Sequence, residues 1–411
     1  MARASRSAIA HYEQRILAYE RARPVRVANS PRPRTAGRPA RRRKAVRRSP
    51  LRARIRRIFA ITLTLLLGDV CISFTAAMTA PSNSPFGVRA VEWLRDNGAA
   101  WLVSDVERIY YTWNAPPTGG PSLHALPTVG VAAVDGGAYR PPPIAPVVDP
   151  PLPGEGVWHG TGPVVAGAPP VLVTTFRPDP NYPQMVAGVA WIDSSRAWVQ
   201  LYPGRYEPPA DGTPLAEVPA QLQARLLATF NSGFKLEDDG GGFDAFGHVY
   251  APLRSGQATF LRYRDGSADV RTWTGGPDPG PNVEFARQNL PLIVDGGQLN
   301  PNLSDGPQWG ATLGNAVRVW RSAVGVDARG NVLYAAADGQ TAQSIAQIML
   351  RAGAVRAMEL DINSEWVTFN FYGSWDAGAP QKLLPDMTRD ATRYLTPDDR
   401  DFFAVYARSG A

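Results

Sequence analysis

Residues 317–339 read VRVWRSAVGV, DARGN and VLYAAADG: two apolar runs joined by a five-residue polar turn. β-Branched and aromatic residues fill both runs, and Gly330-Asn331 ends the turn, so the stretch predicts a β-hairpin. Inside it, Arg321 shares a strand face with Val319 and Ala323. A long cation flanked by apolar residues needs an anion, either a substrate phosphate or a carboxylate across the sheet such as Glu359 or Asp361. From the second strand the chain passes through Asp338-Gly339-Gln340 into a helix predicted over Ala342–Ala352, with Thr341 as N-cap and Gly353 as stop. A helix N-terminus offers free N–H groups to an anion, but every helix has one.

Outward from this hairpin, short β-type runs recur between Pro, Asn and Ser turns. Strands are predicted at Val171–Phe176, Val186–Asp193, Ala197–Tyr202, Leu226–Asn231, Thr259–Arg264, Asp269–Thr274, Leu292–Val294, Val317–Asp327, Val332–Ala337, Ala357–Asn363 and Val367–Tyr372. Many strands and few helices predict an α+β domain built on a twisted mixed or antiparallel sheet.

The segment Ala357–Asn363, AMELDIN, alternates strictly. As a strand it would set Met358, Leu360 and Ile362 on one face and Glu359, Asp361 and Asn363 on the other, with neighbours on a face about 6.5–7 Å apart. Carboxylates at that spacing raise each other's pKa unless a cation intervenes. They suit acid/base work, a metal or sugar hydroxyls; a half-exposed strand with a wet polar face is the plainer reading. Two further polar turns close apolar runs: Asn231-Ser232-Gly233-Phe234, and Asp295-Gly296-Gly297-Gln298. The four His form no ligand cluster, a metal requirement stays open, and GxSxG, HExxH and P-loop motifs are absent.

The charge is divided. Overall, 43 Lys+Arg face 36 Asp+Glu for +7, but residues 1–57 hold 19 basic and 2 acidic groups, a net of +17. The other 354 residues hold 24 basic and 34 acidic groups, a net of −10. The tail is poor in aromatics and is expected to lack a core of its own. An acidic body speaks against a nucleic-acid partner.

Residues 58–80, IFAITLTLLLGDVCISFTAAMTA, carry one charge, Asp69, and are long enough to cross about 30 Å of hydrocarbon. Ten Lys+Arg at 41–57 against two at 81–100 put the N-terminus in the cytoplasm and the body outside. The rival, a cleaved signal peptide, meets a leader long for an n-region and no clean small-x-small site. The expected organisation is a basic tail (1–57), a transmembrane helix (58–80), juxtamembrane helices (81–113), a Pro/Gly-rich linker (114–156) and a compact domain (157–411). The juxtamembrane helices break at Asn97-Gly98; Val88, Val91 and Leu94 share a face of the first, and Leu102, Val106 and Ile109 a face of the second. The single cysteine, Cys71, lies in the span, so the body forms no disulfide.

Taken in order, Asn231-Ser232-Gly233-Phe234-Lys235, Arg321-Ser322-Ala323-Val324-Gly325, Asp338-Gly339-Gln340 and Glu359-Leu360-Asp361-Ile362-Asn363-Ser364 resemble the motifs of the phosphodiester glycosidase family. The resemblance covers about 226–372, or at its widest the whole of 157–411. It departs where that family has a glycine loop and this chain has Ile362-Asn363-Ser364. It implies a hydrolase of a sugar-1-phosphodiester, which the span and the charge asymmetry would anchor outside the cytoplasm, where a cell-envelope glycan or glycoconjugate is the expected substrate. It also implies Asp361, Glu359 and Arg321 as catalytic residues, with Asn231, Gly233, Asn363, Asp338, Gly339, Asp295 and Gln298 binding substrate. No cofactor is firmly implied, though a divalent cation is open. A glycan binder without catalysis, or an envelope scaffold with Arg321, Glu359 and Asp361 as an internal salt bridge, would carry the same motifs.

Overall fold

The computed structural model describes residues 50–131, 139–208, 216–239, 241–304, 306–310 and 318–408. Residues 1–49 of the expected basic tail, and Val317 of the expected hairpin, lie outside them. By contacts the chain divides at Leu66/Leu67, and residues 67–411 form one unit. Of residues 1–66, the described part is the first half of helix α1 (Pro50–Thr79). That helix contains a stretch, Leu51–Thr79, long and apolar enough to cross a membrane.

Helices α2 (Phe86–Leu94) and α3 (Ala100–Trp113) follow, joined by a π-type turn at Arg95–Ala99. The break falls where the sequence places it: Gly98 takes φ +81°, a value glycine adopts without steric cost. The strands then run β1 (His159–Gly160), β2 (Val171–Phe176), β3 (Ala187–Ile192), β4 (Ala197–Tyr202) and β5 (Leu226–Asn231), with one-turn helix α4 (Ala220–Gln223) before β5 and α5 (Leu236–Asp239) after it. Next come β6 (Phe243–Ala245), β7 (His248–Ala251), β8 (Ala258–Tyr263), β9 (Ala268–Thr272), β10 (Val283–Asn289), β11 (Leu292–Asp295) and β12 (Gln298–Leu299). The chain closes with β13 (Val319–Asp327), β14 (Val332–Gln340), α6 (Ala342–Arg351), β15 (Ala354–Glu359), β16 (Phe369–Ser374), β17 (Gly378–Lys382) and β18 (Phe402–Ala407).

Three antiparallel sheets result, ordered β1-β2-β3-β14-β13-β15-β11-β12, β7-β6-β10-β8-β9 and β17-β16-β5-β18-β4. The opening hairpin is the centre of the largest. Its turn is held by Asp327, whose Oδ1 accepts from Arg329 N and Asn331 N at 2.8 and 2.9 Å. Side chains alternate along the hairpin between two dry faces. Tyr334 and Ala336 of β14 enter the core shared with the other sheets, while Leu333, Ala335 and Ala337 pack toward α6. Phe403 of β18 joins the sheets, its ring 5.0 Å from those of Phe230 and Phe260. Helix α6 starts in a capping box, with Ser344 N donating to Thr341 Oγ1 at 3.0 Å and Thr341 N to Ser344 Oγ at 2.8 Å. It buries Ile345, Ala346 and Met349 and ends at Gly353, φ +96°.

The Pro/Gly-rich stretch contributes to this packing. Ile144 and Val148 are buried, and Glu155 forms a buried ion pair with Arg177 at 2.7 Å.

Candidate active site

The third strand of the hairpin neighbourhood, β15, stops at Glu359, so Glu359, Asp361 and Asn363 do not form a ladder on one strand face. The reason is a change of partner. Leu360 N still donates to Ser322 O of β13 at 2.8 Å, but Asp361 N donates to Ser232 O at 3.0 Å, drawing the chain across to the end of β5. Glu359 and Asp361 thereby acquire different cations.

Glu359 is fully buried and paired with Arg321. The Arg321 guanidinium also donates to Gln340 O at 3.0 Å and Trp309 O at 2.7 Å. Burial raises the Glu359 carboxyl and Arg321 opposes the rise. Arg321 is thus committed to protein acceptors. Asp361 pairs instead with Arg400, Oδ2 to Nη2 at 3.2 Å, and its Oδ1 accepts from Asn363 N at 2.9 Å. Burial raises its carboxyl too, opposed first by Arg400.

Asn231 uses its whole hydrogen-bonding capacity inside the fold. Its Nδ2 donates to Ser232 O (2.9 Å) and Ser322 Oγ (3.0 Å), and its Oδ1 accepts from Tyr334 OH (2.8 Å) and Thr368 N (3.0 Å). Ser322 Oγ in turn donates to Asp361 O at 2.8 Å. Asn231 is therefore a strut beneath Asp361. Gly233 presents its carbonyl to Arg400 Nη2 at 3.1 Å, and a Cβ there would stand 3.2 Å from Asn289 Cγ and 3.4 Å from Arg287 Cζ. Ser232 Oγ and Arg400 Nε are buried beside Asp361 with no hydrogen-bond partner.

Asp361, Asn363, Arg400, Lys235 and Asp238 line a cavity of about 20 Å³. An adjoining cavity of about 480 Å³ shares Lys235, Arg400, Trp366 and Glu92 with it. Lys235 is paired with Glu92 of α2; burial alone would lower its ammonium, yet Glu92 holds it above the usual value. Burial raises Asp238, against the pull of Lys235. Lys235 and Arg400 are site cations that the sequence reading passed over. Lys235 closes the first quoted motif, and Arg400 sits in TPDDRD just before an apolar run, the only local signals either had.

Asp338 and Gly339 line a separate cavity of about 500 Å³ with Tyr110, Tyr111 and Trp320. Between the two regions, Tyr111 of α3 packs on Phe234, Val319 and Ile362. Asp295 and Gln298 pair across the exposed β11–β12 turn, where Gly297 N donates to Val355 O, so they lie at the far end of β15 from Glu359. Among the described residues, no three His, Cys, Asp or Glu side chains are grouped to hold a metal.

Residues 233–361 match the model of the phosphodiester glycosidase family. No curated protein matches it. Among solved structures it is similar to the zebrafish N-acetylglucosamine-1-phosphodiester alpha-N-acetylglucosaminidase catalytic domain auto-inhibited by its pro-peptide, with 17% identity, 59% of this chain and 85% of that one covered, and a TM-score of 0.40. It is also similar to a hypothetical protein from Synechocystis (14% identity, 59% and 65% covered, TM-score 0.31). A third is an exported protein from Burkholderia pseudomallei (13% identity, 54% and 74% covered, TM-score 0.33).

Proposed function

We propose that the chain hydrolyses a sugar-1-phosphodiester in a cell-envelope glycan or glycoconjugate, on the face of the membrane opposite its basic N-terminus. The observation that carries this reading is Asp361 in a water-sized cavity with two cations, Arg400 and Lys235, both of which also line the adjoining cavity of about 480 Å³. Cleavage of the sugar C1–O bond expels a phosphate monoester, whose second pKa is about 6. Such a leaving group needs charge neutralisation more than protonation, and Arg400 with Lys235 supplies it. Water attacks C1, Asp361 takes its proton or faces the oxocarbenium-like sugar, and the C1–O electron pair leaves on the phosphate. A carboxyl raised by burial is suited to a base role near neutral pH. Arg321 and Glu359 are assigned to the same machinery as a buried pair that fixes the start of the Asp361 loop. The sequence stretch 41–57, richer in Lys and Arg than 81–100, supports the orientation.

The full chain in phosphatidylcholine vesicles, given a synthetic N-acetylglucosamine-1-phosphodiester, is expected to release reducing sugar. Asp361→Asn should lower the rate by about 100-fold or more, the usual contribution of a general base. Binding of the intact diester without release of sugar would overturn the enzyme reading in favour of a glycan binder.

A further inference from the structure

The two cavities that meet at Lys235 and Arg400 differ in what they can hold. A water needs roughly 10–15 Å³ of such space, so the cavity of about 20 Å³ beside Asp361 seats one water and not two. Asp361, Asn363, Arg400 and Lys235 give that water its polar partners, and Phe234, Ile362 and Trp366 supply the apolar wall. The adjoining cavity, about 480 Å³, has the size of a small-molecule site. A sugar-1-phosphodiester fits the second and not the first.

The walls of the small cavity are held from several sides. The loop that carries Asp361 closes on itself: Asn363 N donates to Asp361 Oδ1 at 2.9 Å, Glu365 N to Asn363 Oδ1 at 3.0 Å, and Trp366 N to Asn363 O at 2.9 Å. Trp366 is fixed in turn. Arg393 Nη1 donates to its carbonyl at 3.1 Å, and the guanidinium carbons of Arg389, Arg393 and Arg400 stand 5.5, 5.1 and 5.3 Å from its ring centre. Ile362 and Phe234 are buried and pack with Val319. Walls packed this closely respond to a change of one methylene. Widening the cavity by a methyl group would break one of these contacts. Asn363 is the half-buried member of the wall, and its side chain can be removed while its backbone N–H still reaches Asp361.

We propose that the small cavity seats the attacking water and excludes alcohols, with Asn363 setting the limit, so that the chain transfers its sugar to water alone. The proposal rests on the hydrolytic reading with Asp361 as base, and its test separates the two. The water oxygen bonds to C1, its proton passes to Asp361, and the C1–O bond breaks with its electron pair on the phosphate monoester. An alcohol would follow the same course to a glycoside, but its carbon has no room beside the Asn363 side chain. The full chain in phosphatidylcholine vesicles is given a synthetic N-acetylglucosamine-1-phosphodiester in heavy-oxygen water containing methanol, and the products are read by mass spectrometry. The parent is expected to release N-acetylglucosamine carrying heavy oxygen at C1, and no methyl glycoside. Asn363→Gly should form both products, the share of methyl glycoside rising with methanol; Asn363→Ala should do the same to a smaller extent. Near-ultraviolet circular dichroism matching the parent, recorded in the same methanol, shows which variants are folded. Heavy oxygen in the phosphate, or no sugar released by the parent, overturns the hydrolytic reading and the proposal with it. Labelled sugar accompanied by methyl glycoside in the parent overturns the proposal alone. A folded variant that releases sugar and no methyl glycoside, or neither product, likewise removes Asn363 from the role assigned to it.

Discussion

Arg400 Nη2 stands 3.2 Å from Asp361 Oδ2 and 3.1 Å from Gly233 O, so one guanidinium ties the candidate carboxylate to the turn after β5. Burial pushes the Asp361 carboxyl up, and Arg400 is the first group opposing it. Arg400→Gln removes that opposition, so Asp361 will ionise at higher pH. A base must be ionised to act, so the acidic limb of the kcat/KM profile should move to higher pH. A limb that stays in place while activity falls would leave Arg400 a purely substrate-facing role.

The Arg321–Glu359 pair is buried on both sides. Arg321→Met leaves a carboxylate without its cation and should cost roughly 3–5 kcal/mol of stability. Adding Glu359→Leu removes the stranded charge, so the double variant should be more stable than either single one. Urea unfolding of the four proteins measures the coupling; additive losses would mean the two side chains act independently.

Replacing Asn231 with Ala strands Thr368 N–H and takes the shorter partner from the Tyr334 hydroxyl, which keeps Thr368 O at 3.3 Å, while the Ser322 hydroxyl keeps Asp361 O. A cost on the order of 3 kcal/mol is expected, since each buried group left unpaired costs about 1–3 kcal/mol. Tyr334→Phe, which removes one bond, should cost about 1 kcal/mol. If Asn231→Ala unfolds like the parent but loses sugar binding, the side chain touches substrate and is not a strut.

The fold was legible where strand and helix signals are local. The hairpin, the Thr341 cap and the break at Gly98 depend on neighbours in sequence, and the structure puts them within a few residues of expectation. Strand β10 was not legible, because VEFARQN buries Arg287, Gln288 and Asn289 completely and so hides its apolar pattern. Arg287 is tolerated there by Asp401 at 2.8 Å, a residue 114 positions away. Strand β17 carries Pro380, which fits an edge and masks it as a turn. The same distinction holds at the site. Asp361 is visible because it interrupts an apolar run, whereas its pairing with Arg400 rather than Arg321 is a tertiary choice made by the Ser232–Asp361 backbone bond.

Asp244, in the short strand β6, has its carboxyl raised to about 6, chiefly by burial and then by Asp278. Its unfolded value is about 3.9. Between these values the native state holds more protons than the unfolded one, so this group makes stability fall as pH rises from about 4 to about 6, with no further change above. Asp244→Asn cannot ionise and escapes that penalty. It should therefore gain on the parent by up to roughly 3 kcal/mol at pH 7 and by little at pH 4, read from urea unfolding at the two pH values. An equal gain at both would place the effect in packing.

Glu92 of α2 pairs with Lys235, while Asp96 and Glu237 each stand 3.8 Å from the same ammonium. The cation proposed to hold the leaving phosphate thus already faces three carboxylates, and a ligand phosphate must compete with the nearest. Glu92→Gln keeps the shape and removes that charge. Without Glu92, burial and Arg400 lower the Lys235 ammonium against the pull of Asp96, so the inhibition is read at about pH 6, on the side that favours the protonated amine. The freed cation should then bind a sugar-1-phosphate more tightly by up to about 1 kcal/mol, roughly fivefold in the inhibition constant, the upper range for a partly exposed pair. Lys235→Met should weaken the same inhibitor, and Glu92→Gln added to Lys235→Met should change nothing further. An inhibition constant that Glu92→Gln leaves unmoved, beside a clear loss in Lys235→Met, would show that Glu92 does not compete with the phosphate at all.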